Sequence, residues 1–233
     1  MLCLSIDTSN ASGSLAVLRD SDILGIVASA TDEAYSSRLF KHLEFLLGEL
    51  KLSLAEIELF AVCAGPGSFT GLRVGLTAVK GWAEVYGKPI AAVSGIEAVA
   101  AQAIGGAEGS LIVPVLDARR GEVYGAVYAN RGARLERLTP EYVLLPEEFL
   151  AMVRECASNR EVTFVTTAPA MTKAMLGNSE FAAAAIRTAS PVLAPVIGRI
   201  GLECAARGEV VTSLELDANY IRRSDAEVLW KGR

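Results

Sequence analysis

The residues of this chain whose types and spacing could do chemistry are few, and the first are Gly65-Pro66-Gly67-Ser68. They stand between a short apolar run, Phe60 to Ala64, and an unbroken helical pattern from about Thr70 to Tyr86. A glycine turn leading into a helix leaves N–H groups free for an anion, so a phosphate reading is open. No strong phosphate motif is satisfied. Leu72-Arg73 follow Gly71 where a Walker loop needs Lys-Ser/Thr, and three residues separate Gly67 from Gly71 where the dinucleotide fingerprint has two. A tight strand-to-helix connection with no ligand accounts for the same residues equally well. Asp7-Thr8-Ser9, at the end of an alternating apolar run, could face a nucleotide or its metal. With no second acid nearby, Asp and Ser capping their own backbone is the favoured reading.

Histidine is the most restrictive count, because His42 is the only one. Zinc sites built on His or Cys clusters are thereby excluded, and a catalytic triad would have to recruit His42 from a strongly helical segment. Cys3, Cys63, Cys156 and Cys204 are scattered through apolar surroundings with no close pair, as small buried hydrophobes in a reducing compartment are. The opening residues carry no basic region and meet Asp7, and no uncharged apolar run reaches membrane-spanning length. A cytoplasmic protein with no membrane attachment is expected. The 233 residues are 52% hydrophobic and 21% charged, which is globular, and the net charge of −5 argues against a protein that grips nucleic acid unaided.

The elements that must position these residues follow from periodicity. Leu2, Leu4 and Ile6 alternate into a strand ending at Asp7, and two further strands, Ser14 to Leu18 and Ile23 to Ala30, continue as a meander. A helix from Ser36 to Leu50 has Leu39, Leu43, Leu46 and Leu50 as its core stripe, broadened by Phe40 and Leu47, with Arg38, His42, Phe45 and Glu49 on another face. Ser53 to Glu56 matches a capping box. On the helix after Thr70, Leu72, Leu76, Val79, Ala83 and Tyr86 form a core stripe, while Gly71, Gly75, Ala78 and Trp82 form an adjoining apolar face. A helix apolar over so much of its circumference is covered on two sides. Two glycines one turn apart, each costing about 1 kcal/mol relative to Ala, indicate that another backbone packs closely there. That backbone belongs either to a partner helix, the preferred reading, or to the same chain. Arg38, His42, Phe45, Gly71, Gly75, Ala78 and Trp82 are therefore the candidate interface, and Asp7, Gly65, Gly67 and Ser68 the candidate phosphate loop.

After Gly87-Lys88-Pro89, a strand Ile90 to Val93 leads to Ser94, which caps a helix to about Ala103. Gly105 to Gly109 is the most linker-like segment and sets the expected boundary between lobes at 1–104 and 110–233, with the last segment packing either on its own lobe or back on the first. The second half opens as the first does: Ser110 to Asp117 is a strand ending in Asp, followed by a turn and a strand Glu122 to Tyr128. Shifted by 110 positions, Asp7 superimposes on Asp117, Ala16 on Ala126 and Val17 on Val127, which predicts one supersecondary unit used twice. A strand near Arg134 to Leu138, a helix Pro146 to Ala157, strands Val162 to Thr166 and Ala183 to Thr188, and a helix from Pro191 to Arg207 complete a leaner lobe. The tail from Ala218 to Arg233, with Tyr220, Ile221, Arg222, Arg223 and Trp230, docks on a neighbour or packs on its own lobe.

Duplicated strand-Asp-turn-strand openings resemble the actin-like ATPase (RNase H-like) architecture of sugar kinases and Hsp70. The fold expected is α/β, with two related lobes, each a mixed sheet flanked by helices, the second reduced. Within that architecture AGPGSFTGLRVG followed by KGWAEVYGKPIAAVS closely resembles the bacterial TsaB (YeaZ) family, and DARRGEVYGAVY and YIRRSDAEVLW add further matches. The resemblance implies a subunit of the machinery that places threonylcarbamoyl on N6 of the adenosine next to the tRNA anticodon. The catalytic paralogue in that family, TsaD, carries an HxxxH metal motif where this sequence aligns Gly95 and Val99, so the resemblance implies a non-catalytic, metal-free member. It further implies that the helices after Ser36 and Thr70 form a bundle with TsaD, or with a second copy when TsaD is absent, and that the ATPase TsaE docks on the pair. RNA is then held only through the complex, and no nucleotide is intrinsic, though ATP or ADP could be shared at the complex interface. The alternative is an enzyme acting alone, either an actin-fold nucleotide hydrolase or a glycoprotease-like peptidase. Tyr35 departs from the family, many members having His there, and Ala218 stands where a Pro is frequent.

Overall fold

The computed structural model describes residues 1–31 and 35–222. Arg223 and Trp230 of the terminal tail lie outside the described residues. The chain divides into two compact units, one of Met1–Ala98 with Pro191–Asn219, the other of Val99–Ser190 with the segment from Tyr220. The division falls ahead of the glycine-rich segment at 105–109, and the helix after Pro191 belongs to the first unit rather than to the second lobe.

In the first unit β1 (Leu2–Asp7), β2 (Ser14–Arg19) and β3 (Asp22–Ala28) form the expected meander. Helix α1 (Tyr35–Leu50), a 3₁₀ turn (Leu54–Glu56), β4 (Leu59–Gly65), α2 (Phe69–Tyr86) and β5 (Ile90–Ser94) follow. Strand order is β3-β2-β1-β4-β5, with β1, β4 and β5 parallel and β2 and β3 antiparallel. The expected capping chemistry is present: Ser53 N and Oγ donate to Glu56, and Ser94 Oγ accepts from Ile96 and Glu97 N–H groups. The latter bonds open α3 (Gly95–Ala101).

Strand alternation sorts the helices onto two faces. Phe60 meets Trp82 of α2, whereas Ala61, its neighbour in β4, meets the helix that follows Pro191, at 194–206. That helix fits because of two glycines. A Cβ on Gly198 would lie 2.3 Å from Leu18 Cδ1 and one on Gly201 2.6 Å from Ala61 Cβ, so only glycine lets the helix lie flat on the sheet. Ser5 Oγ donates to Ala194 O at 2.7 Å across the same contact. Leu4, Ile6, Leu39, Leu43, Val62, Leu72 and Val79 fill the opposite layer, each buried. Full burial of such a side chain contributes about 1.5–3 kcal/mol.

In the second unit β6 (Leu111–Asp117), β7 (Val123–Gly125), β8 (Tyr128–Arg131), β9 (Arg134–Arg137) and β10 (Tyr142–Leu144) precede α4 (Pro146–Ala157). Then come β11 (Val162–Thr166), α5 (Pro169–Leu176) and β12 (Ala185–Thr188), the helix at 194–206 being α6. The order β10-β7-β6-β11-β12 repeats the first sheet, with β6 again parallel to its neighbour β11 and antiparallel to β7. The duplication therefore holds at the level of topology. Its register is corrected in one place, because Asp7 pairs with Ser14 but Asp117 pairs with Val123. The second turn is one residue shorter, Gly125 rather than Ala126 occupies the place of Ala16, and the downstream Ala-Val agreement is out of register. The expected strand Glu122 to Tyr128 is broken at Ala126-Val127 into β7 and β8, both of which pair with β6. Phe149, Val153, Phe164 and Phe181 form this unit's core against β6, and a Cβ on Gly125 would fall 2.4 Å from the Phe149 ring. No helix among the described residues is long and apolar enough to cross a membrane.

Candidate functional site

The structure brings Asp7, Gly65, Gly67 and Ser68 together, and it shows their polar groups spent on one another and on the β1–β2 turn. Asp7 is fully buried. Its Oδ1 accepts from Ser9 N at 2.8 Å and Ser9 Oγ at 2.6 Å, and its Oδ2 from Asn10 Nδ2 at 2.7 Å. This is turn chemistry, the favoured reading of the residue. Burial pushes the Asp7 carboxyl above its ordinary range, opposed by the bonds from Ser9 and Asn10 and by the Cys63 thiol. Ser68 N donates to Ser9 O at 2.8 Å, and Ser68 Oγ caps α2 by accepting from Gly71 N at 3.3 Å. A Cβ on Gly67 would meet Ser9 O at 2.5 Å, and one on Gly65, at φ +125°, would meet Asn219 O at 2.6 Å. Two of the donors at this helix start, Ser68 N and Gly71 N, thus already have acceptors within the chain, and a buried carboxyl group stands beside them.

The glycines of α2 answer the question of what covers them. On Gly71 a Cβ would lie 2.0 Å from Thr8 O, and on Gly75 one would lie 2.4 Å from Thr8 Oγ1. Thr8 Oγ1 also donates to Gly71 O at 2.7 Å. The close backbone is the β1–β2 turn of the same unit, so Gly71 and Gly75 leave the candidate interface. Arg38 leaves it too. It is buried, its Nη1 donates to Ser29 O at 3.1 Å, Ser29 Oγ at 2.7 Å and Thr31 Oγ1 at 3.1 Å, and its guanidinium stacks on Tyr35 at 4.1 Å. A guanidinium offers five donors, and here they tie the end of β3 to the start of α1. Tyr35 in turn covers Gly13, where a Cβ would coincide with its hydroxyl at 1.1 Å.

Ala78 and Trp82 remain at the surface, and with them lies an apolar groove of about 660 Å³ between α1 and α2. Trp82 is half-buried and forms its floor, tilted on the buried Phe60 at 6.0 Å and edge-on to Phe40 at 6.1 Å. Phe69 lies under the Arg73 guanidinium at 3.9 Å, and Arg73 is the charged residue of the lining. Phe40, 57% exposed, is not part of the core stripe as its spacing suggested but a wall of this groove. Thr77 and Gly81 complete the α2 side. Phe45 is exposed without lining the groove, and His42 is half-buried on α1. The missed signal was local: Phe69 directly follows the Ser68 cap with Arg73 four residues on, a spacing that stacks a cation on an aromatic side chain. Gly95, aligned with one metal-binding histidine, opens α3 where a Cβ would lie 3.2 Å from Cys63 Sγ, and Val99 is fully buried.

The comparisons with known proteins agree with this fold. Residues 15–211 match the family model TsaD, tRNA N6-adenosine threonylcarbamoyltransferase. The tRNA threonylcarbamoyladenosine biosynthesis protein TsaB of Bacillus subtilis is 30% identical over 99% of this chain and 98% of its own length. A crystal structure from Pseudomonas aeruginosa, of a protein with similarity to the peptidase YeaZ, superimposes with a TM-score of 0.79 at 26% identity over 95% of this chain and 99% of that one. An inorganic polyphosphate/ATP-glucomannokinase from Arthrobacter has a TM-score of 0.50 at 12% identity over 88% of this chain and 99% of its own. That likeness bears on the fold alone, which is the actin-like one.

Two outcomes are expected from the packing of the turn. Gly75→Leu drives a side chain into Thr8 and should cost about 1–3 kcal/mol, lowering the melting temperature by about 2–4 °C per kcal/mol; an unchanged melting temperature would show the face to be open. The second concerns pH. With its native carboxyl raised above the usual 3.8, Asp7 binds a proton more tightly folded than unfolded. Its contribution is then favourable below that value and is lost as pH rises through the folded one. Urea unfolding from about pH 4 to pH 8 should show stability falling with pH more steeply in the wild type than in Asp7→Asn, and parallel curves would contradict the assignment.

Proposed function

This chain belongs to the TsaD family and within it to the TsaB proteins, and from that premise we propose that it serves tRNA threonylcarbamoyladenosine biosynthesis as a non-catalytic docking subunit in the cytoplasm. The observation that carries the proposal is the groove between α1 and α2. It exposes Phe40, Phe69 and Trp82 side by side with a single basic residue, Arg73, in its lining. Apolar surface of this kind marks an interaction site, and a groove with an aromatic floor between two helices suits an incoming helix. The occupant is a catalytic subunit of the TsaD type, or a second copy of the chain when that subunit is absent. ATP handling falls to an ATPase subunit of the TsaE type, a reading supported by Ser68 N and Gly71 N, which donate within the chain at the Gly65–Ser68 loop. With a net charge of −5 the chain meets tRNA through its partners.

Thr77 is an exposed groove residue of α2, so Thr77→Trp fills the groove from a position the fold does not need. Association with the purified catalytic subunit should weaken about tenfold or more, with melting temperature and helix content unchanged. Equal binding by the variant would remove the groove from the interface. In the same preparation the chain alone should turn over neither ATP nor peptide, and a rate of about 1 s⁻¹ or more would mark it as an enzyme in its own right.

A further inference from the structure

Among the described residues the two most exposed large apolar side chains are Leu214 at 90% and Val85 at 75%, and neither lines the groove. They flank one hydrogen bond, because Ser213 Oγ donates to the Glu84 carboxylate. The turn that carries Leu214 is pinned at both ends. Before it, Val211 and Ile90 exchange backbone bonds of 2.8 and 3.0 Å; after it, Leu216 is 1% exposed. Within it, Thr212 N and Oγ1 both donate to Glu215 Oε2 at 2.9 Å, and Glu215 N returns a bond to Thr212 Oγ1 at 3.3 Å. A leucine at a floppy loop tip would need no explanation. This one is held out by a reciprocal capping arrangement, so the order needed for binding is already present in the free chain. The surroundings are acidic on balance: Glu209 is paired with Arg207 at 2.7 Å and Lys88 stands three residues after Val85, while Glu84, the hydrogen-bond anchor, Glu215 and Asp217 leave an excess of carboxylate.

We propose that Leu214 and Val85 form a second docking surface, which seats them in an apolar pocket rimmed by Lys or Arg on a protein partner. The charge complement follows from the acidic border, which repels another acidic face and speeds encounter with a basic one. The proposal rests on the reading above, that the chain serves an assembly with two protein partners, and assigns this surface to the partner that does not occupy the groove.

The test titrates the purified catalytic subunit and the purified ATPase subunit separately against the full chain and against Leu214→Asp, Val85→Asp, Leu214→Met and Thr77→Trp. Both aspartate variants should bind one subunit at least about tenfold more weakly and the other normally, with unchanged melting temperature, while Leu214→Met binds both. The subunit retained should be the one that Thr77→Trp loses, and wild-type binding to the subunit lost should weaken as salt is raised. Aspartate variants that bind both subunits like the wild type would overturn this surface and leave the groove standing. Loss of self-association alone, read by sedimentation of the isolated chain, would also overturn it by giving the surface to a second copy. A wild-type chain that binds neither subunit would overturn this proposal and the proposed function together.

Discussion

The packing of Thr8 on Gly71 and Gly75 is the contact on which the first unit depends. Thr8 follows the strand that ends in Asp7, and its carbonyl and hydroxyl lie where Cβ atoms on the two glycines would be. With no side chains in the way, α2 lies close to the β1–β2 turn, and a hydrogen bond from Thr8 Oγ1 to Gly71 O fixes its rotation. That rotation decides the rest of the helix. Leu72, Leu76 and Val79 enter the core, and Val74, Ala78 and Trp82 are left along the groove. The cost of two helical glycines, about 1 kcal/mol each against alanine, is offset by this approach. Asp7 holds the turn in shape from beneath, trading the penalty of a buried carboxyl for bonds to Ser9 and Asn10.

Both sheets have the same strand order along their main path, yet the turns after their first strands differ. The turn of the first sheet starts on buried residues, Asp7, Thr8 and Ser9, whereas Asp117 is exposed, with Arg119 N bonded to its Oδ1 at 2.7 Å. The first sheet is covered on both faces, by α1 and α2 on one side and by α6, arriving from far along the chain, on the other. In an actin-like fold the strand-end aspartates and glycine turns are where nucleotide chemistry is usually sought. Here Asp7 accepts from Ser9 and Asn10, and Ser68 N donates to Ser9 O, so both positions brace the β1–β2 turn.

Much of this was legible in the sequence. Strand ends at Asp7 and Asp117, the capping box at Ser53–Glu56, the cap at Ser94, the limits of α4 and β11, and the two-sided apolar character of α2 all follow from local rules of period and capping. What covers a helix face is not a local property. Gly71 and Gly75 announced a close approach without saying whose backbone approached, and Arg38 looked solvent-facing because periodicity does not register the carbonyls of Ser29 and Ala11 that receive it. Phe40 sits at the edge of a leucine stripe, where a rotation of a few tens of degrees separates core from surface. Helix α5, with alanine and methionine on most sides, offers no stripe to detect, and the one-residue shortening of the second turn was hidden by a chance Ala-Val agreement.

The central claim is that one wall of the first unit is rigidly built so that its outer face can receive another protein. Amide hydrogen–deuterium exchange on the full chain, free and saturated with the catalytic subunit, tests it most directly. Slowed exchange is expected in peptides spanning Ser36 to Phe45 and Phe69 to Trp82, with the turn from Thr8 to Gly13 already protected and unchanged. Protection that appears at that turn while α1 and α2 exchange as before would contradict it.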